Sequence, residues 1–239
     1  MTRQKKITVV TNVILVIIFS LVFSVSFFAE TPVPIYGGKD ISAIYNGNRN
    51  ENNVSLMFNV YENTEAVNSI IDVLDFYEVK ATFFVGGCWA DDNGETLTRI
   101  VSEGHELANH GYFHKDHKTL DYEANKEEIH LTGAIVEALA GTSMNLFAPP
   151  SGSFSSATLE AAFDLGYKVI MWSKDTIDWR DSDKNKIISR ATSNLSNGDF
   201  ILMHPKEHTL ECLPEIISRC RAEGFNLVTV SENIGDSAA

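Results

Sequence analysis

The sequence predicts an α/β protein: a distorted (β/α) barrel of about seven parallel strands, preceded by an N-terminal transmembrane or signal helix. Three observations lead to this prediction. Short apolar runs alternate with amphipathic helical patterns, an uncharged apolar stretch lies near the start of the chain, and polar residues follow several of the apolar runs. Strands that alternate with helices pair in parallel through right-handed crossovers. An open doubly wound sheet would produce the same alternation.

The apolar stretch occupies residues 7–29 and follows Arg3, Lys5 and Lys6. About 20 apolar residues in a helix can cross the hydrocarbon core of a bilayer. The basic flank should stay cytoplasmic, which places the rest of the chain outside the cell. Residues 1–29 are therefore a cleaved signal peptide or a retained anchor, and bulky Phe27 close to Ala29 makes a poor cleavage site. We expect an exported protein, either secreted or anchored to the outer face of the cytoplasmic membrane.

A polar segment follows at residues 30–53, with Pro32, Pro34 and adjacent glycines at 37 and 38. It has no sustained apolar period and reads as a linker, so the predicted domain covers residues 54–235. The net charge of −13 argues against nucleic acid as a partner. We expect a monomer whose contact with the membrane runs through residues 7–29.

Short apolar runs and helical patterns alternate throughout the predicted domain. Seven apolar runs predict strands at 54–60, 81–85, 105–109, 145–148, 168–172, 199–204 and 226–230. Helical patterns lie between them at 63–77, 94–103, 121–140, 155–165, 183–195 and 209–223. Apolar residues at three- and four-residue steps mark one buried face on the first of these helices. Glycines after three of the helices favour left-handed helix ends, at 104, 166 and 224.

Ligands of α/β folds collect beyond the carboxyl ends of the strands. Two histidines, His110 and His114, follow the third predicted strand. Residues four apart share one face of a helical turn, so both imidazoles could bind one divalent metal. The alternative is a pair of exposed histidines at a helix start. Other strand ends carry further candidate residues: Asn59, Tyr61, Pro150, Asp178, Trp179, Leu202 and His204.

Together these segments resemble the polysaccharide deacetylase family, a group of carbohydrate esterases that share the NodB homology domain. A His-x-x-x-His motif matches at His110 and His114, an Asp-Trp motif at Asp178 and Trp179, and a Leu-x-His motif at Leu202 and His204. An Arg-x-Pro motif matches only at Pro150, because Ala148 stands where arginine is usual. The resemblance extends from residue 54 to about residue 232.

The segment that corresponds to the family's first motif differs most from the usual family sequence. Thr-Phe-Asp-Asp-Gly is usual there, and this chain has Met57-Phe58-Asn59-Val60-Tyr61. In the family the first aspartate is the general base and the second is a metal ligand. Asn59 therefore occupies the position of the base but cannot take up a proton, and Val60 cannot bind a metal. The arginine absent at 148 is the usual partner of that base, so base and partner are lost together.

The resemblance implies a metal-dependent hydrolase that removes N-acetyl, or O-acetyl, groups from a cell-wall or chitin-like polysaccharide. His110 and His114 would hold the metal, which we expect to be zinc. His204 would be the acid and Asp178 its orienting partner, while Trp179 and Leu202 wall the acetyl pocket; Pro150 and Tyr61 complete the predicted substrate-binding set. Candidates for a third ligand are Glu62, Asp91, Asp92, Asp175 and His117.

Three functions remain open from the sequence. The first is an active deacetylase acting on peptidoglycan or a chitin-like polymer. The second is a catalytically silent relative that binds glycan at the cell surface, which Asn59, Val60 and Ala148 favour. The third is a structural envelope protein, for which the retained histidines and Asp178 would have no purpose.

Overall fold

The computed structural model describes residues 35–36 and 39–235. Contacts divide the chain into two units, Met1–Asp40 and Ile41–Ala239. In the first unit, strand β1 (Ile35–Tyr36) pairs antiparallel with β2 (Lys39–Asp40). The predicted anchor at 7–29 lies outside the described residues. Within the described ranges, no helix combines the length and apolarity that crossing a bilayer requires.

The second unit is organised around one parallel sheet of eight strands. Its strands are β3 (Asn53–Val60), β4 (Thr82–Val85), β5 (Glu106–Asn109), β6 (Leu146–Phe147), β7 (Lys168–Val169), β8 (Lys174–Asp175), β9 (Phe200–Met203) and β10 (Asn226–Leu227). They lie in the order β7-β6-β5-β4-β3-β9-β8, and β10 pairs with the start of β3. The predicted parallel α/β architecture is confirmed.

Helices follow most of the strands. They are α1 (Thr64–Phe76), α2 (Gly87–Asp91), α3 (Gly94–Ser102), α4 (Tyr122–Ala140), α5 (Ser156–Asp164), α6 (Lys184–Thr192), α7 (Glu207–Ala222) and α8 (Val230–Ile234). The six predicted helical patterns coincide with α1 and with α3 to α7 to within three residues. Side-chain caps start several of them, since Asp121, Ser155 and Asp183 each accept a backbone N–H of the first turn.

The two ends of the strand order, β7 and β8, are close in sequence. Val169 and Lys174 are five residues apart, which an extended chain spans in at most about 17 Å. The sheet must therefore curve until its edges approach each other, which produces the barrel shape. The single strand predicted at 168–172 is wrong in this respect, because the chain leaves one edge after Val169 and joins β9 at the other edge.

Residues before the predicted start of the domain also contact the barrel. Ile44 forms a parallel bridge with Ile170 beside β7, and Asn46 forms an antiparallel bridge with Asp199. Ile41 is buried in the cluster that includes Phe147. The end of the segment predicted as a linker thus covers an edge of the sheet.

Alternation along β3 decides which side chains face the barrel interior. Phe58 and Val60 pack into the cluster between the sheet and the helices. Met57 belongs to a second cluster inside the barrel, with Phe84 and Leu202. Successive residues of a strand point to opposite faces, so Asn59 faces inward with Met57 and Val60 faces outward.

Candidate active site

A cavity of about 340 Å³ opens at the carboxyl ends of the strands. Its walls come from the chain segments that follow β3, β5, β6, β8 and β9 and from the segment between β7 and β8. They are Asn59, Tyr61, His110, His114, Ser151, Trp172, Asp175, Trp179, Leu202 and His204. Seven of the nine predicted site residues line this cavity. Of the other two, Asp178 lies behind His204, and Pro150 is buried next to Ser151.

The two histidines follow β5 on an irregular loop, not on the helical turn that their spacing predicts. Gly111 and His114 both adopt left-handed backbone conformations, with φ of 73° and 54°. These conformations turn the chain so that the ring centroids of His110 and His114 lie 5.2 Å apart. The prediction that the imidazoles meet is right, and its helical explanation is wrong.

His110 is held in one tautomer. Its Nδ1 lies 2.7 Å from the carbonyl oxygen of Ala148, which can only accept, so Nδ1 carries the proton and Nε2 keeps a free lone pair. Burial, together with the neighbouring His114, lowers the pKa of His110 to about 3. Burial also lowers the pKa of His114. Both rings are therefore neutral at pH 7, the form in which imidazole binds a metal.

The separation of the two rings matches that expected for two imidazoles on one divalent metal. A metal about 2.1 Å from a ring nitrogen lies about 3.3 Å from the ring centre, so two imidazoles at a tetrahedral angle have centres about 5.3 Å apart. The observed separation is 5.2 Å. The Nδ1–H of His110 bonded to a carbonyl is the usual outer-shell partner of a metal-binding histidine.

The candidate third ligands are placed less favourably. Glu62 forms an ion pair with Lys206 and does not line the cavity. His117 is buried beneath the loop, with Nδ1 bonded to Asn125 at 2.7 Å. Asp91 and Asp92 are at the end of α2 and line no part of the cavity. Asp175 does line it, and one of its carboxylate oxygens accepts the N–H of Ile177 at 2.8 Å.

The residues that replace the usual family residues lie in three different environments. Asn59 is 3% exposed, and its Oδ1 is buried without a hydrogen-bond partner among the described residues. A buried polar atom without a partner is costly, so a bound group that donates to Oδ1 would be favoured here. Val60 faces the helices, and Ala148 is buried inside the barrel.

His204 and Asp178 form a hydrogen-bonded pair beside the cavity. Nδ1 of His204 lies 2.8 Å from Oδ1 of Asp178, and the backbone N–H of His204 donates to Oδ2 at 2.8 Å. Thr209, fully buried on α7, donates to Oδ2 at 2.6 Å. Burial alone would raise the pKa of Asp178, but these hydrogen bonds and the charge of His204 outweigh it and leave the pKa below its ordinary value. The ionised carboxylate therefore fixes the His204 ring, with Nε2 as the nitrogen left for other partners.

Aromatic side chains surround the mouth of the cavity. Tyr61 packs against His114 with ring centroids 4.2 Å apart. Trp179 is 53% exposed at the rim and is therefore not part of the core. Leu202 belongs to the inner cluster and also lines the cavity.

Sequence reasoning missed several residues of this site. Ser151 lines the cavity in a left-handed conformation, with φ of 56°, and the Pro-Ser-Gly sequence around it was its only sign. Trp172 and Thr209 carry no motif of their own. Glu128, on α4, binds the histidine loop and is separated from His114 by 14 residues, so no local pattern connects the two.

One further cluster of potential metal ligands lies at the opposite end of the barrel. Among the described residues, Asp75, Glu103 and His105 place ligand atoms within 4.8 Å of one another. Lys80 already pairs with Asp75 at 2.9 Å, and Arg99 with Glu103 at 2.7 Å. With both carboxylates bound to cations, this cluster is an ion-pair network.

Comparison with known proteins finds a matching family model and several relatives of this chain. Residues 46–170 match the family model described as polysaccharide deacetylase. The uncharacterised protein YlxY of Bacillus subtilis is 35% identical over 189 residues, which cover 79% of this chain and 59% of YlxY. The peptidoglycan-N-acetylmuramic acid deacetylase PdaC of the same organism is 32% identical over 77% of this chain and 39% of PdaC. The chain thus spans less than two thirds of the length of either relative.

A solved structure is also similar. The crystal structure of a Bacillus anthracis protein, described as a CE4 family pseudoenzyme, superposes with a TM-score of 0.80 at 31% identity, covering 84% of this chain and 72% of that one. A mutant of that protein, described as having restored enzymatic activity, superposes with the same TM-score.

Proposed function

Because the chain belongs to the polysaccharide deacetylase family, we propose that it is a metal-dependent hydrolase that removes N-acetyl or O-acetyl groups from a cell-wall or chitin-like polysaccharide. The observation that supports this most is the meeting of two systems in one cavity: the paired imidazoles of His110 and His114, and His204 hydrogen-bonded to Asp178. A structural scaffold needs neither system.

In this proposal His110 and His114 hold the metal, with zinc as the expected ion. A bound divalent metal polarises the acetyl carbonyl and lowers the pKa of water. His204, as an imidazolium, gives its Nε2 proton to the departing nitrogen, and Asp178 stabilises that cation through Nδ1. Tyr61, Trp179 and Leu202 wall the space around the acetylated sugar.

Asn59 limits the rate. Its amide can orient a water molecule by hydrogen bonding but cannot take a proton from it near neutral pH. A positioned general base contributes about 10²–10⁴-fold to such reactions. The proposed enzyme therefore turns over slowly compared with a relative that has a carboxylate at this position.

The proposal includes a location. A polymer of the cell wall lies outside the cytoplasmic membrane, and the basic flank followed by the apolar stretch 7–29 would hold the barrel there. Release after cleavage near Ala29 gives the secreted form. In either form we expect a monomer.

A second function is supported by specific observations. Asn59 is neutral, Val60 faces away from the cavity, and Ala148 offers no cation. The similarity to the Bacillus anthracis pseudoenzyme also supports a protein without catalytic activity. In this alternative the cavity binds an N-acetylated glycan at the cell surface without cleaving it.

Acetate release tests the two functions. The purified protein, titrated with zinc or cobalt, should release acetate from an N-acetylated chitooligosaccharide or from an aryl acetate. Replacing His110→Ala should abolish release by removing a metal ligand, and His204→Ala should reduce it about 10²–10⁴-fold by removing the acid. Exposed His130 supplies the control, because His130→Ala should leave the rate unchanged.

If the wild-type protein and both cavity variants are equally inert at every metal concentration, the hydrolase proposal fails. Calorimetry with chitooligosaccharide then decides between the remaining functions. Heat that is lost in His204→Ala supports the silent glycan-binding protein, and its absence leaves the structural envelope protein.

A further inference from the structure

Helix α4 presents buried polar groups to the loop that carries the two histidines. Asn125, Glu128 and Thr132 are all buried on this helix. Asn125 accepts from Nδ1 of His117, and the backbone oxygen of Ile129 accepts from Asn109 at 2.7 Å. Polar residues on the buried face of an amphipathic helix weaken its apolar packing, so their contacts need an explanation.

Glu128 makes the contacts that lie between the two histidines in sequence. It is 2% exposed, and its Oε2 accepts the backbone N–H groups of Tyr112 and Phe113 at 3.0 and 2.8 Å. Its other oxygen pairs with the amine of Lys115 at 2.7 Å. One carboxylate thus binds three of the four residues that follow Gly111.

The loop needs such an anchor because its backbone is strained. His114 has a φ of 54°, a strained region that residues other than glycine keep only when the surrounding structure enforces it. The N–H groups of Tyr112 and Phe113 lie outside any helix or sheet ladder. Glu128 supplies both with a charged acceptor, which makes strong hydrogen bonds.

The arrangement also explains the buried charge. An ionised carboxylate inside a protein is unfavourable unless it is paired and hydrogen-bonded. Glu128 has a cation and two N–H donors, and it keeps these three partners only while the loop keeps its observed conformation. Loop conformation and carboxylate therefore stabilise each other.

We propose that Glu128 is a positioning residue that sets the distance between His110 and His114. It acts from outside the cavity by holding residues 112–115, and it touches neither the metal nor the substrate. The part of this inference that concerns metal affinity rests on the proposed function; the part that concerns loop order does not.

The test uses Glu128→Gln and Glu128→Ala in the full protein. We expect the amides of Tyr112 and Phe113 to exchange with solvent about tenfold faster or more in both variants, because a hydrogen bond to a charged acceptor is lost. Cobalt affinity, measured by calorimetry, should fall about tenfold, the lower end of the range for direct partners of metal ligands, because Glu128 holds the loop and not a ligand ring. The alanine variant should show the larger effect, since glutamine keeps one carbonyl oxygen.

Asp199→Asn is the matched control. Asp199 is also a buried carboxylate, bonded to Ser173, to the backbone of Ser196 and to Arg49, but it precedes β9 at the opposite end of the barrel. This variant should lower thermal stability while leaving the exchange of Tyr112 and Phe113 and the cobalt affinity unchanged. A general loss of stability is thereby separated from a specific effect on the loop.

Two results would contradict the proposed role of Glu128. Unchanged exchange at both amides in Glu128→Ala overturns the inference, as does equal cobalt affinity in wild type and both variants. If the wild-type protein binds no cobalt but the two amides lose protection only in the Glu128 variants, Glu128 still orders the loop and the metal-dependent function fails instead.

Discussion

At the scale of single residues, position 59 differs from the residue usual in the family by one functional group. Asn59 and an aspartate have nearly the same shape, but only the carboxylate accepts a proton. The sequence could predict this position because the motif around it is recognisable. It could not show that Oδ1 is buried without a partner or that Val60 faces the helices, because both depend on the pleat of β3.

Replacing Asn59→Asp should raise acetate release by about 10²-fold, towards the lower end of what a positioned general base contributes. The gain is limited because Ala148 provides no cation to orient the new carboxylate. The measurement is the initial rate with an N-acetylated oligosaccharide at saturating cobalt.

Asn59→Ala is the control for this change, since it alters the same inward position without adding a base. A rate that rises equally in both variants would show that the effect comes from space in the cavity and not from proton transfer.

At the scale of secondary structure, the six longer helices were predictable, but strand β8 and the edge that it joins were not. Each amphipathic helix carries its pattern within its own sequence, and residues such as Asp121 and Ser155 mark the start. Strands β7 and β8 have two residues each, and the edge that each joins is decided by neighbours distant in sequence. The histidine loop shares this property, because its shape depends on Glu128.

The conformation of the same loop indicates how replacing Gly111 should change stability. Gly111 has a φ of 73°, and an added Cβ would lie 2.8 Å from Nε2 of His117. Gly111→Ala should therefore lower the free energy of unfolding by more than the roughly 1–2 kcal/mol that a left-handed alanine costs. Urea denaturation measures the difference.

Gly141 provides a comparison without the clash. Its φ is 66°, and an added Cβ would have no atom within 4 Å. Gly141→Ala should show the backbone cost alone, so equal destabilisation of the two variants would contradict the close contact at His117.

At the scale of the whole molecule, buried neutral histidines connect stability to pH. Burial, as the largest cause, lowers the pKa of His105 to about 4 and that of His110 to about 3, and it also lowers those of His114 and His117. Because these values lie below the ordinary value near 6.5, the unfolded chain takes up protons first as the pH falls. The sequence shows histidines but not their burial, so this property could not be predicted from it.

We expect the free energy of unfolding to be constant above about pH 6.5 and to fall by a few kcal/mol between about pH 6.5 and pH 4. Urea denaturation of the metal-free protein across this range measures the slope. His105→Gln should reduce the slope of the free energy of unfolding against pH, because residue 105 would no longer take up a proton on unfolding. His105 is buried far from the cavity, so the change leaves the site intact.

Exposed His130 again serves as the control, and His130→Gln should leave the slope as it is. A slope that is the same in all three proteins would show that His105 does not contribute to the acid sensitivity.

The partner of His110 is a main-chain oxygen, that of residue 148. Every amino acid supplies such an oxygen, so the imidazole keeps its tautomer whatever side chain occupies that position. Mutation can therefore alter the chemistry at 148 over generations without dismantling the geometry at 110. The histidine pair is for this reason a durable starting point for re-engineering, because new groups can be introduced around it one at a time.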